Sequence, residues 1–530
     1  IEDYKQVDGK HFGERKHWLQ DDYVKFLRFA QWKIDQAGEG IVGMITNHGY
    51  LDNPTFRGMR QSLMTTFDEI YVVNLHGNSL KKEVCPDGSK DENVFDIRQG
   101  VAIALFVKGT GQKTVKHHER YGLREDKYAW LDSQDVERTE WERLEPQGPL
   151  YLFGTSTEEG LVEYGSQPSL PELFRVNVSG IVTARDGFVI DFDKDALLRR
   201  IQQFRDSSMP DSVVRKAFKL KDTRGWKLGE KRKILAREEE YRQHAVPCLH
   251  RPFDTRWIYY HPDMVDWGRH DVMPHMFEGN IALIAPRQHK ADFGAFVTEQ
   301  IGTHKSVAAY DINYYFPLYL YRDLLKGDLF DRASKAKRQA NVADGILRKI
   351  ESAYARRVSP EDLFAYVYGV LYSEEYRARH QESLKMDFPR IPFTADVEVF
   401  ERVAGIGERL IALHLMKSKS LDAPVCRFEG EGDGRVAKNK AAGRRYDGET
   451  QRVFVNREQY FSPVPDELWS YTIGGYQVLD KWLKDRAERR LSSADIKHYC
   501  RVATALAETI KIQAELAEVY PEVEKNVIAF

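Results

Sequence analysis

Three short apolar runs, GIVGMITN (40–47), EIYVVNL (69–75) and GVAIALFVK (100–108), follow one another closely near the start of the chain. Each is too short for a buried helix, and glycine or asparagine bounds the first, so the runs read as buried strands. Between the first two, Asn53-Pro54 reads as an N-cap with proline at the first helical position, opening a helix through about Met64. A polar loop over 76–94, with Gly77, Pro86 and Gly88, separates the last two. Strand, helix, strand, loop and strand make one half of a doubly wound α/β sheet. Three strands leave one edge open and one face poorly covered, so the missing partner strands are expected before residue 1. Ile1 stands where an initiator Met is usual, which predicts a processed chain or a piece of a longer one. Ahead of the first strand, residues 21–37 space Val24, Phe26, Leu27, Phe29, Ala30, Trp32 and Ile34 as a largely buried helix, stopped by Gly38 and Gly40.

The rest of the chain is mixed. Residues 113–150 are charged and aromatic and read as a connector with a solvated helix. From 151 to 330 short β-like runs recur, among them FRVNVSGIVTA (174–184), IYY (258–260), NIALIAP (280–286) and YYFPLYLY (314–321). Residues 322–345 read as a linker, and 346–420 as a helical part with a break at Arg390-Ile391-Pro392. Within 421–530, residues 427–448 are rich in glycine and charge and read as a loop, and 492–520 as an amphipathic helix. The expected class is α/β and α+β.

Composition narrows the setting. The 530 residues carry 79 Lys+Arg against 81 Asp+Glu, a net charge of −2, which excludes a uniformly basic coat but not a local basic cleft. No run approaches the roughly 18 consecutive apolar residues of a membrane span, and no secretory signal opens the chain. Cys85, Cys248, Cys426 and Cys500 lie far apart, which excludes a disulfide scaffold and paired-cysteine zinc motifs and suits a reducing cytoplasm.

Few motifs carry chemistry. His117-His118, His261, His270, His275 and His289 lack the i,i+4 pairs or cysteine partners of ordinary metal sites, so no metal is expected. Asn53-Pro54-Thr55-Phe56 is similar to the Asn-Pro-Pro-Tyr/Phe loop that holds a flipped base, but its second proline is threonine and it opens a helix; the cap reading is preferred. Residues 215–233 hold nine Lys/Arg against two acids, and 435–445 hold five against none. Such runs neutralise backbone phosphates, although a solvated face is the common alternative. RPFDTRWIYY (251–260) interleaves Arg251 and Arg256 with aromatics. The two forks suit phosphates or a guanine edge, or else an Arg251–Asp254 or Asp254–Arg256 pair pins a turn.

Long stretches make a family recognisable: ITNHGYLDNPTFRGMRQSL (45–63), ENVFDIRQGVAIALFVK (92–108), SGIVTARDGFVIDFDKDALLRRIQQFRD (179–206), CLHRPFDTRWIYYH (248–261), DFPRIPFTADVEVF (387–400), GERLIALHLM (407–416) and IGGYQVLDKWLKDR (473–486). The chain resembles the C-terminal part of Type ISP restriction–modification enzymes, which are γ-class adenine-specific DNA methyltransferases. The resemblance implies that 1–112 is the second half of an AdoMet-dependent methyltransferase core, with the run at 40–47 as its sixth motif. It implies a target-recognition domain from about 150 onward. Phe95 is similar to the eighth-motif aromatic that packs on a flipped adenine. The family's glycine-rich AdoMet motif and catalytic Asn-Pro-Pro-Tyr loop are not in this sequence and are expected upstream, as are nuclease and translocase parts. The resemblance therefore implies AdoMet as cofactor of the complete protein and double-stranded DNA as partner. Phe95 is the stacking candidate. Arg98, Gln99, Arg185, Arg251, Arg256, Arg287, Gln288, Lys438 and Lys440 are the DNA-contact candidates. The alternative is a non-catalytic DNA-specificity module working with a separate catalytic subunit.

Overall fold

The computed structural model of the chain describes all residues except 12–16, 80–82, 149, 155–163, 291 and 322–337. The chain divides into two compact units, Ile1–Ser166 and Gln167–Phe530.

The first unit is built on one five-stranded sheet. Its elements are α1 (Asp22–Ala37), β1 (Gly40–Asn47), α2 (Arg57–Thr66), β2 (Glu69–His76), β3 (Val101–Lys108), β4 (Thr114–Glu119), α3 (Arg124–Ser133) and β5 (Glu142–Leu144). The order is β1-β3-β2-β4-β5. β3 runs antiparallel between β1 and β2, while β4 lies parallel to β2. β1 is thus an edge strand. The three runs read from sequence are all strands of this sheet.

Alternation along β1 explains what each face does. Val42 and Met44 pack on a core of Val24, Leu27, Met59, Val72 and Phe106, whereas Ile41 and Ile45 on the opposite face are 68% and 57% exposed. α1 lays Val24, Leu27 and Gln31 on the core. The helix was expected to be largely buried; instead Phe26, Phe29 and Trp32 stand 61%, 57% and 44% exposed. A helix covering one side of a sheet buries only the stripe that faces it, which leaves Phe26, Phe29 and Trp32 on the outward side of α1. On the opposite side of the sheet α3 packs Trp130 and Leu131 against Val73, Leu75 and Val101. The Asn53 side chain accepts from Thr55 N at 2.9 Å, closing a turn of 3-10 helix that runs into α2. The capping reading holds.

The stretch 113–150 departs from a connector. β4 joins the sheet because Val115 and His117 point into the core, with only their neighbours left polar. The sequence TVKHHE hides this alternation, since its buried apolar side is half histidine.

In the second unit, α4 (Asp211–Ala217) and α5 (Leu228–Arg237) precede a hairpin of β6 (Ala245–Arg251) and β7 (Asp254–Tyr259). The hairpin is the centre of a four-stranded sheet flanked by Ile301–Gly302 and Ile190–Asp191. A second sheet uses Ala282–Pro286, Phe296–Thr298, Asn313–Pro317 and Val178–Ser179. Of the expected linker, 322–337 lies outside the described residues, and Arg338–Ala340 forms a short strand. Helices α6 (Pro360–Tyr372), α7 (Val397–His414) and α8 (Ser493–Val523) stack together. α6 and α7 meet so closely at Gly407 that a Cβ there would stand 1.9 Å from the Ala365 carbonyl oxygen. Arg427–Glu429, Arg445–Asp447, Arg452–Phe454 and Tyr460–Ser462 make a further sheet, so the stretch read as a loop over 427–448 has a strand at each end. The mixed α/β and α+β class is as expected.

Candidate nucleic-acid interface

Phe95 lies on the loop between β2 and β3, and its ring is 44% exposed. The backbone under it is firmly held. Phe95 N donates to Asn93 Oδ1 at 2.8 Å, Asn93 Nδ2 donates to the Gln99 carbonyl at 2.6 Å, and Arg124 donates to the carbonyls of Asn93 and Phe95 at 2.8 and 3.1 Å. Beneath it Lys127 reaches Asp91 at 2.7 Å and the Leu75 and Glu92 carbonyls at 2.7 and 2.6 Å. Asp91 accepts further from the backbone of Gly77 and Gly122. The result is an aromatic ring presented on a rigid loop, with Arg98 and Gln99 exposed beside it.

In the second unit the basic stretch 215–233 sorts into two kinds of side chain. Three bind internally. Arg232 is buried and holds Asp211 and the carbonyls of Phe204 (2.7 Å) and Met209 (2.8 Å); Lys231 pairs with Asp263 at 2.6 Å; Arg215 pairs with Asp222 at 3.1 Å. Lys216, Lys219, Lys221, Arg224, Lys227 and Lys233 are exposed. Buried Trp226 anchors the segment, donating to the Asp263 carbonyl at 2.8 Å. The surface is therefore a structured basic patch, the arrangement that attracts phosphates.

The hairpin turn resolves the two arginines differently. Arg256 is paired with Asp254 at 2.7 Å and with Asp485 at 3.0 Å, and stacks on Phe192. Arg486 takes the other Asp254 oxygen at 2.8 Å. Burial alone would raise the Asp254 pKa, but the guanidiniums of Arg256 and Arg486 hold it below the ordinary value. The Asp254–Arg256 pair is thus present and pins the turn. Arg251, half-buried, donates to the His250 and Lys305 carbonyls and lies over Tyr476.

Arg185 also has internal partners: the Thr183 and Met264 carbonyls, Asp266 at 2.7 Å, and the Trp226 ring. Arg287 is exposed and bonds Asp387 at 2.7 Å; Gln288, next to it, has a buried Oε1 with no hydrogen-bond partner among the described residues. Lys438 and Lys440 are exposed. Lys438 lines a cleft of about 600 Å³ in which Arg435 and Arg457 face Glu431, Glu458 and Glu488. Each of these candidates has its own set of neighbours within the second unit, and Arg185, Arg251 and Arg256 spend hydrogen bonds on internal partners. Exposed Lys216, Lys219, Lys221 and Lys227 were signalled only by the charge run; Asp91 and Lys127 carried no signal.

These units define a mixed α/β protein whose larger part is a basic-patched α+β module. That module is a specificity domain: the chain belongs to the Type ISP C-terminal specificity domain family, which matches residues 172–515. No curated protein matches the chain. Among solved structures it is similar to DrdV in complex with DNA (22% identity, TM-score 0.61, 95% of this chain and 53% of that one). It is similar to a nuclease-deletion mutant of the Type ISP restriction–modification enzyme LlaGI with a DNA substrate mimic (21%, 0.58, 94% and 40%). It is also similar to the ATP-dependent Type ISP enzyme LlaBIII bound to DNA (20%, 0.62, 97% and 36%). The chain spans about half or less of each of these proteins. Among the described residues no helix is long and apolar enough to cross a membrane.

Proposed function

We propose that this chain supplies sequence recognition to a site-specific adenine DNA methyltransferase of the Type ISP restriction–modification kind. The observation that carries the reading is the specificity-domain match over 172–515. In the proposed reaction a methyl group passes from AdoMet to the exocyclic amine of an adenine flipped out of a specific duplex. The six exposed basic side chains between Lys216 and Lys233 position the backbone, and polar side chains of the same unit read base edges. Phe95 stacks on the flipped base; its pinned backbone supports this role, because a stacking ring that need not be ordered on binding loses less entropy. Arg98 and Gln99 flank that base.

The glycine-rich turn and the Asn-Pro-Pro-Tyr loop that would bind AdoMet and the adenine amine are not among this chain's residues. The longer protein would supply them, with nuclease and translocase parts. The uncovered surface of β1 and α1, with Ile41, Ile45, Phe26, Phe29 and Trp32, is where the rest of the methyltransferase core would continue the sheet.

The test is equilibrium binding of the purified chain to labelled duplex DNA across salt concentrations. Binding whose logarithm falls linearly with log salt supports the proposal. No binding at low ionic strength overturns it.

A further inference from the structure

A second chemistry stands in the specificity unit, away from the Asp254 network. Glu238 follows α5, His244 ends the 3-10 turn Tyr241–His244 ahead of β6, and His261 follows β7. One donor atom from each lies within 4.8 Å of the others. The two imidazoles are 4.6 Å apart and nearly perpendicular, and His261 Nε2 is 4.0 Å from Glu238 Oε2.

The backbone fixes these positions. The His244 carbonyl accepts from Tyr260 N at 2.7 Å, locking the two histidines at the open end of the hairpin. Arg205 holds the Glu238 carbonyl. His261 Nδ1 faces Asp263, accepting from its N–H at 3.1 Å with its carboxylate 3.8 Å away, and that carboxylate is itself fixed by Lys231.

We propose that Glu238, His244 and His261 bind one first-row divalent transition ion, zinc or a zinc-like ion, with Asp263 orienting His261. Two imidazoles and a carboxylate are the donor set such ions take, with a remaining position for water. Tetrahedral ligands stand about 3.4 Å apart at zinc–ligand lengths, so the half-exposed Glu238 side chain needs only a small closure. Ligation through Nε2 would put the proton of His261 on Nδ1, exchanging its present acceptance from Asp263 N–H for donation to the Asp263 carboxylate 3.8 Å away, the usual support for a metal-bound histidine. The ion would staple the end of α5, and with it the basic segment, to the β6–β7 hairpin.

A second cluster, His48, His76 and Glu83, does not carry the same inference. There both His48 nitrogens face amides, Asn74 at 3.0 Å and Asn78 at 3.1 Å, and Glu83 bonds His76 Nδ1 and Asn78 N at 2.8 Å each. These bonds already use both His48 nitrogens and both Glu83 oxygens, leaving only His76 Nε2 without a hydrogen-bond partner among the described residues.

The experiment titrates chelator-treated full chain with Co²⁺ followed by visible absorption, and with Zn²⁺ by calorimetry. One equivalent is expected, with zinc raising Tm. Glu238→Gln and His244→Gln, both at incompletely buried positions, should each weaken Zn²⁺ binding by more than the roughly 10–100-fold that losing a partner outside the ligand set costs. His76→Gln should leave it unchanged. No stoichiometric uptake by the native chain, or unaltered affinity in either of the first two variants, overturns the proposal.

Discussion

Lys127 and Asp91 form an ion pair at 2.7 Å in which neither side chain has any solvent exposure. The pair sits under the loop that carries Phe95 and joins it to α3. Breaking a buried pair by removing one partner leaves an uncompensated charge, at a cost of about 3–5 kcal/mol. Lys127→Met should therefore lower the denaturation midpoint of the first unit markedly. Phe95→Ala, on an exposed ring, should leave that midpoint nearly unchanged. Urea unfolding of the three chains decides this; equal midpoints would show that the pair does not hold the loop.

The basic segment separates surface from scaffold. Replacing Lys216, Lys219 and Lys221 together by Gln should leave thermal stability within about 0.5 kcal/mol. It should also flatten the salt dependence of duplex binding, by about 0.9 in the log–log slope for each phosphate left without its lysine. Arg232→Ala should do the reverse, destabilising the unit because the guanidinium holds Asp211 and three carbonyls. Arg256→Ala belongs with Arg232: its loss leaves the buried Asp254 with one guanidinium instead of two, so a fall in Tm is expected before any specific change in DNA binding.

Acid should unfold the second unit by way of its buried histidines. His414 accepts from the Tyr368 hydroxyl at Nδ1 (2.6 Å) and faces Thr509 at Nε2 (3.0 Å), and burial lowers its pKa to about 3. Burial, then the charges of Arg256 and Arg251, lowers His250 to about 2. Both folded values lie below the ordinary 6.5, so the unfolded chain takes up protons first. Stability is full above pH 6.5 and falls as pH drops through the window toward 3, by about 1.4 kcal/mol per pH unit for each histidine. Urea midpoints between pH 7 and 4 test it; a midpoint flat across that range would contradict the assignment of neutral rings.

The exposed apolar surface of the first unit should make the isolated chain bind hydrophobic dyes and self-associate. Ile45→Lys with Trp32→Glu places charge on an open edge strand and its covering helix, a change that discourages edge pairing. The double variant should stay monomeric at concentrations where the native chain does not, with unchanged Tm. Light scattering on both chains reads the outcome, and identical association would show that this surface is not the sticky one.

Much of the frame was legible because it is local. The strands at 40–47, 69–76 and 101–108 and the long C-terminal helix announce themselves through runs and periodicity. What stayed hidden depends on distance or on disguise. β4 carries histidine where a core residue belongs. The exposure of Phe29 and Trp32 cannot be read from a helical stripe that is apolar all round. Arg486 lies 232 positions from Asp254, so the second hold on that carboxylate had no sequence signal. Glu238, His244 and His261 come from three elements, without the fixed spacing of a metal motif on one helix.

Whether this chain reads DNA sequence is tested most directly by selection. Duplexes bound by the purified chain are recovered from a random library and sequenced. Enrichment of one defined motif is expected, lost when the Arg251 and Gln288 surfaces are altered in folded variants. Salt-dependent binding with no enriched motif, or no recovered DNA at all, would contradict sequence recognition by this chain.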